Sequence, residues 1–130
     1  LIKITKDDFS IEEVVRRAKR PDVGAIVTFL GTVRDDDILK MELEAYKEAA
    51  LPELERIRDE AFSKFDLKSV DIIHRVGSLN VGDNIALIVV SAGHRREAFE
   101  GCAYVLEELK RRAPIWKKEF RKDGERWVGQ

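Results

Sequence analysis

The sequence predicts an α+β fold, with mainly antiparallel strands and about three helices, in a single domain spanning residues 1–130. Three observations carry this. Stretches with strand period and stretches with helix period are mixed without regular alternation, which argues against a doubly wound parallel sheet. An apolar run from Asn84 to Ala92 has strand length and leads through Gly93 into an amphipathic helix. Near the end, Asp123-Gly124 stands between two short strand-like runs, a strong two-residue hairpin signal.

Taken in order, Leu1 to Ile4 reads as an edge strand. Ser10 is the expected N-cap of the first helix, with Glu13 closing a capping box and Phe9 and Val14 placed as a hydrophobic staple. Ile11, Val14, Val15 and Ala18 form its apolar stripe, and Pro21 stops it. Val23 to Arg34 reads as a strand in which Gly24 and Gly31 mark a bulge or a close backbone approach. Asp35-Asp36-Asp37 makes a turn. Leu39, Met41, Leu43 and Ala45 then alternate with polar residues, so this strand is expected to bury that face and to pair as a hairpin with the one before. A second helix runs from Leu51 to Phe65 with Pro52 in its first turn. Val70 to Val76 is a further strand. In the third helix Ala98, Phe99, Cys102, Val105, Leu106 and Leu109 are the expected core stripe, and Pro114 ends it.

Composition narrows the function classes. Charged residues make up 38% of the chain, yet the net charge is only −1, and residues from 94 onward are mildly basic on an acidic body. A nucleic-acid binder usually shows a stronger basic excess. No apolar run approaches membrane-spanning length, and no signal-peptide pattern opens the sequence, whose first residue is Leu. One cysteine cannot form an internal disulfide, which fits a reducing cytoplasm. Two histidines and one cysteine on an apolar stripe give no metal-ligand cluster, and no phosphate loop, dinucleotide fingerprint or nucleophile elbow is present.

The candidate chemistry lies between His94 and Glu119. His94-Arg95-Arg96 opens the third helix, where cations oppose the helix dipole but where free N–H groups suit an anion. Such a local conflict favours function. Lys110 continues a line from Phe99 through Ala103 and Leu106, an edge position where partial desolvation would make a lysine a better base or nucleophile. Lys117 and Lys118 follow Pro114; in an extended segment they face opposite ways, one toward a pocket and the other toward a carboxylate or water. These basic groups are expected to surround one pocket for an anionic small molecule. His74 reads as a satisfied core or interface histidine and Cys102 as core.

Five blocks carry a resemblance to a known family. They are Gly24-Ala25 with Phe29-x-Gly31-x-Val33-Arg34; His74-Arg75-x-Gly77-x-Leu79-x-x-Gly82; Ser91-x-x-His94-Arg95-x-x-Ala98-Phe99; Leu109-Lys110-x-x-x-Pro114-Ile115-Trp116-Lys117-Lys118-Glu119; and Asp123-Gly124-x-x-Trp127-Val128. In this order, over nearly the whole chain, they resemble the catalytic (large) subunit of molybdopterin synthase. The resemblance implies an α/β-hammerhead fold and a sulfurtransferase. Two sulfurs pass to cyclic pyranopterin monophosphate, giving the dithiolene of molybdopterin for the molybdenum cofactor. The sulfur comes from the C-terminal Gly-Gly thiocarboxylate of a small ubiquitin-like carrier, one at each end of a central homodimer, making a heterotetramer. It implies Lys110 and Lys117 as catalytic residues and Thr32, Val33, Arg34, His94, Arg95, Lys118 and Glu119 as substrate-binding, with no metal or other cofactor. The sequence departs from the family's pattern in a shorter segment after Arg34, whose Asp35-Asp36-Asp37 turn lacks the common glycine, and it ends at Gln130 where many members continue. Rival readings are a non-catalytic module for a phosphorylated metabolite, and an RNA-binding domain with Trp116 and Trp127 as stacking platforms.

Overall fold

The structure is a computed structural model, and residues 1–128 are described. Eight strands and three helices follow in the order β1 (Ile2–Thr5), α1 (Ile11–Ala18), β2 (Ala25–Thr32), β3 (Ile38–Ala45), α2 (Lys47–Lys64), β4 (Leu67–Arg75), β5 (Gly77–Leu79), β6 (Asn84–Ala92), α3 (Arg95–Arg112), β7 (Ile115–Arg121) and β8 (Gly124–Val128). They build two four-stranded sheets, ordered β1-β4-β6-β2 and β5-β3-β7-β8. Every pairing is antiparallel except β1 with β4. The α+β reading therefore holds, and β1 is an edge strand as expected.

The first sheet is covered on both faces, which is why β6 is buried along nearly its whole length. On one face Val70, Ile72, Ile88 and Val90 pack with Leu54, Ile57, Val105 and Leu109 of α2 and α3. On the other, Ile73, Leu87 and Val89 meet Val14 and Ala18 of α1. Ser10 caps α1 by accepting from the Glu13 N–H at 3.2 Å. The Glu13 carboxylate does not close the box; it pairs with Arg16 one turn on. Both strand glycines of β2's surroundings have the expected roles. A Cβ on Gly24 would lie 2.3 Å from the Gly93 carbonyl oxygen, and the β2–β6 register shifts at Gly31/Thr32.

Further expectations need correction. β2 and β3 do not form a hairpin: β2 pairs with β6, whereas β3 crosses to the second sheet and pairs with β5 and β7. Alternation within a strand reports which side is buried and carries no information on the partner. Within β3 Leu39 is 59% exposed and Ile38 is buried in its place, because the register slips between Ile38 and Lys40. Helix α2 starts at Lys47, so Pro52 lies inside it and not in its first turn. In α3 Phe99 is 63% exposed; Gly101 packs against Leu67 and Val90 instead, so the stripe is rotated away from Phe99. The final hairpin forms, but Lys122 and Asp123 occupy its tip, and Gly124 at φ 124° opens β8. The short strand β5 was not anticipated.

Candidate active site

A cleft of about 600 Å³ is lined by both sheets and by the C-terminal half of α3. The first sheet contributes Phe29, Gly31, His74, Ala86 and Ile88. Helix α3 contributes Leu106, Leu109 and Lys110. The second sheet contributes Met41, Ile115, Lys117, Glu119 and Val128. Thr32 at the end of β2, with Arg34 and Asp36 from the segment that crosses to β3, forms part of the margin. The walls are mainly apolar and the charged groups few, a composition suited to a ring-bearing anion of metabolite size.

Pro114 sets the geometry. It cannot continue α3, so the chain turns directly into β7 with Ala113 as the helix C-cap. In β7 successive side chains alternate, and Ile115, Lys117 and Glu119 all face the cleft. Lys118 faces the other way, ion-paired with Glu125 at 3.1 Å and lying over the rings of Phe120 and Trp127. Thus Lys110 and Lys117, from a helix end and a neighbouring strand, share one cavity.

Burial lowers the pKa of Lys117 from its usual value, and the Lys110 charge lowers it further, while Glu119 opposes them. Lys110 itself is exposed, so the partial desolvation expected for it falls on Lys117. Glu119 is 8% exposed and holds Arg121 at 2.6 Å, with Arg126 at 3.6 Å. Arg34 is exposed and pairs with Asp36 at 2.9 Å. Asp37, the last residue of the Asp35-Asp36-Asp37 turn, adopts φ 60°, a left-handed conformation that Asp tolerates better than most residues.

Of the sequence-predicted residues, the cleft gathers Lys110, Lys117, Glu119, Arg34 and Thr32. Val33 is buried at 2% in the cluster between the sheets, its backbone bonded to Asp83 and Gly82, and does not line the cleft. Lys118 is on the opposite face. His94 and Arg95 are exposed at the start of α3, about 24 Å of helical rise from Lys110. The expectation that both ends of α3 surround one pocket of this chain therefore needs correction: Lys110 lines the cleft, and neither His94 nor Arg95 does. His74, expected as a satisfied core or interface histidine, is buried and is also part of the cleft wall. Phe29 and Met41 were missed as lining residues, and only the sheet geometry reveals them.

The residues from 4 to 112 match the family model of the MoaE protein. A "Molybdopterin synthase catalytic subunit" of Pyrococcus abyssi is 48% identical over 126 residues, covering 94% of this chain and 85% of that protein. One from Bacillus subtilis is 38% identical, covering 98% of this chain and 83% of that protein. Among solved structures, molybdopterin synthase from Staphylococcus aureus superposes with a TM-score of 0.94 at 34% identity, covering 99% of this chain and 97% of that one. A Helicobacter pylori protein, solved as a complex of subunits 1 and 2 of molybdopterin-converting factor, shares the fold with a TM-score of 0.82 at 22% identity, covering 98% of this chain and 90% of that one.

Proposed function

The chain belongs to the MoaE family of molybdopterin synthase catalytic subunits, and we propose that its three-walled cleft is where cyclic pyranopterin monophosphate receives two sulfurs. The enzyme is a sulfurtransferase of molybdenum-cofactor biosynthesis. The observation that carries the site assignment is the convergence of Lys110 and Lys117 on one largely apolar cavity.

The substrate's ring system fits the slot formed by Phe29, Ile88, Leu109 and Ile115, and its phosphate lies toward Arg34 and Lys110, which supply charge-assisted hydrogen bonds. The sulfur is delivered as the C-terminal thiocarboxylate of a small ubiquitin-like carrier. In each transfer the thiocarboxylate sulfur bonds to a substrate carbon as a carbon–oxygen bond there breaks, its oxygen leaving as water or with the phosphate; water then cleaves the acyl–sulfur bond, leaving the sulfur on the substrate and restoring the carrier's carboxylate. Negative charge on the acyl oxygen is met by Lys110. Lys117, whose burial favours loss of its proton, exchanges the proton. Cys102 is buried with its thiol pushed up by desolvation, so it takes no part, and the sulfur comes from outside the chain.

His94 and Arg95 do not line the cleft of their own chain. We therefore place them across a homodimer, each pair completing the neighbour's site, with one carrier per cleft in a heterotetramer. No helix of the described residues is long and apolar enough to cross a membrane; a free cysteine and a soluble substrate support the cytoplasm as the compartment.

The test is reconstitution of this protein with thiocarboxylated carrier and cyclic pyranopterin monophosphate, with Lys110→Ala in parallel. Molybdopterin from the native chain and none from the variant is expected. No product from a folded native chain that binds a competent carrier would sink the reading and leave a binding module.

A further inference from the structure

His74 is 4% exposed, yet its ring forms part of the cleft wall. The strand registers explain how. Gly31, Ala86 and His74 stand side by side on β2, β6 and β4. The two small neighbours leave space on the sheet surface, and the cleft extends over it to the imidazole.

The ring's protonation follows from its partner. Nδ1 lies 2.8 Å from the Arg75 carbonyl oxygen. A carbonyl only accepts, so Nδ1 carries the hydrogen. Burial holds the imidazole neutral, and the nearby Lys117 charge acts in the same direction, against the Arg75 bond. Nε2 is then a bare lone pair. Among the described residues the ring makes no second hydrogen bond, and Nε2 is not sealed off from the cleft. Of the cleft's side chains Phe29, Ala86, Ile88 and Leu109 have no donor to offer, and Lys117, whose charge is felt at the ring, makes no hydrogen bond to it among the described residues. A buried acceptor facing a cavity without a protein partner is rare and calls for one from outside.

We propose that His74 Nε2 accepts a hydrogen bond from an N–H group of the substrate's heterocycle, which makes His74 a specificity-determining residue of the cleft. This rests on the functional reading above and adds what that reading lacks, a polar contact on the ring side of the substrate. The cationic groups read the phosphate; His74 reads the donor edge of the ring. A phosphorylated ligand that offers a carbonyl at the same place leaves two acceptors facing each other and is rejected, as sites built around one buried hydrogen bond reject analogues that cannot make it.

Two variants in the complex with thiocarboxylated carrier test this. The His74→Asn amide can keep the bond to the Arg75 carbonyl but is too short to present an acceptor where Nε2 stands; His74→Gln reaches that point. His74→Asn is expected to raise KM for cyclic pyranopterin monophosphate about tenfold or more with kcat changed less than about threefold, and His74→Gln to recover most of the loss. Equal KM values for the native chain and His74→Asn, or equal defects in both variants, would overturn the proposal. Nitrogen-15 spectra of the native protein remove any dependence on the variants' folding: the Nε2 resonance of the neutral Nδ1–H tautomer is expected to move when substrate is added, and a resonance that stays in place overturns the proposal. The chain has two histidines, so the signal absent from His74→Asn identifies it. A native chain that turns over substrate while these readouts stay still sinks the His74 assignment alone; an inactive native chain sinks the functional reading on which it rests.

Discussion

Lys117 and Lys118 are adjacent in sequence and stand on opposite faces of β7, the first in the cleft and the second 3.1 Å from Glu125. Their substitution should separate accordingly. Lys117→Ala is expected to lower kcat by about a hundredfold or more, the usual scale for a lost proton-transfer group. Lys118→Ala should leave turnover within about threefold and remove an exposed ion pair of small worth. Steady-state assays of the reconstituted complex decide it; equal losses would mean that both lysines act.

The Lys117 amine also has a pH signature. Burial, then the Lys110 charge, lowers its pKa from the usual lysine value, against Glu119. Turnover should therefore rise with pH as Lys117 loses its proton, with a midpoint below the ordinary lysine range. Removing Lys110 removes one of the lowering causes, so in Lys110→Ala the Lys117 pKa moves up. The rate of Lys117 modification by an amine-directed reagent, followed against pH, reports this without needing activity. A midpoint that is unchanged or lower in the variant would refute the coupling.

Glu60 and Arg112 tie α2 to α3. Arg112 meets Glu60 at 2.6 Å, Glu53 at 2.6 Å and Glu108 at 3.0 Å, and Tyr104 donates to Glu60. The hydrogen bond from Arg112, then that from Tyr104, lowers the Glu60 pKa from 4.5 to about 2. A depressed carboxylate stabilises the fold fully above its unfolded pKa, and that contribution fades as pH falls from 4.5 toward 2. Arg112→Gln should lower Tm by roughly 5 °C near neutrality, and the gap to the native chain should narrow on acidification through that window. Thermal melts across the range test the sign.

Cys102 faces the sheet from α3 and is buried. Cys102→Ala should retain full sulfur transfer and cost about 1 kcal/mol of stability for the lost volume. A thiol reagent should modify it only on unfolding. Loss of activity in a folded Cys102→Ala protein would implicate the chain's own sulfur.

The proposed dimer gives complementation. Lys110→Ala and Arg95→Ala chains should each be inactive alone. Mixed by refolding, half of the dimers are hybrids, each carrying one intact site, so about a quarter of native activity should return. No recovery would mean that Arg95 serves its own chain.

Much of this molecule was legible in the sequence for identifiable reasons. Helix α1 was marked by Ser10, whose hydroxyl has a local backbone target. Strand β6 and helix α3 were marked by an unbroken apolar run and the stop at Pro114. The opposite facing of Lys117 and Lys118 follows from strand period alone. These are interactions within a few residues, so local pattern determines them. Tertiary structure decided everything that depends on which distant segments meet. It paired β3 with β7 rather than β2, which carries Met41 opposite Glu119 in the cleft. It turned Phe99 outward and put His74 beside Gly31 and Ala86. The separation of His94 and Arg95 from Lys110, by contrast, follows from the rise of α3 alone. Periodicity specifies a buried face; the identity of what covers that face is a property of the assembled sheets.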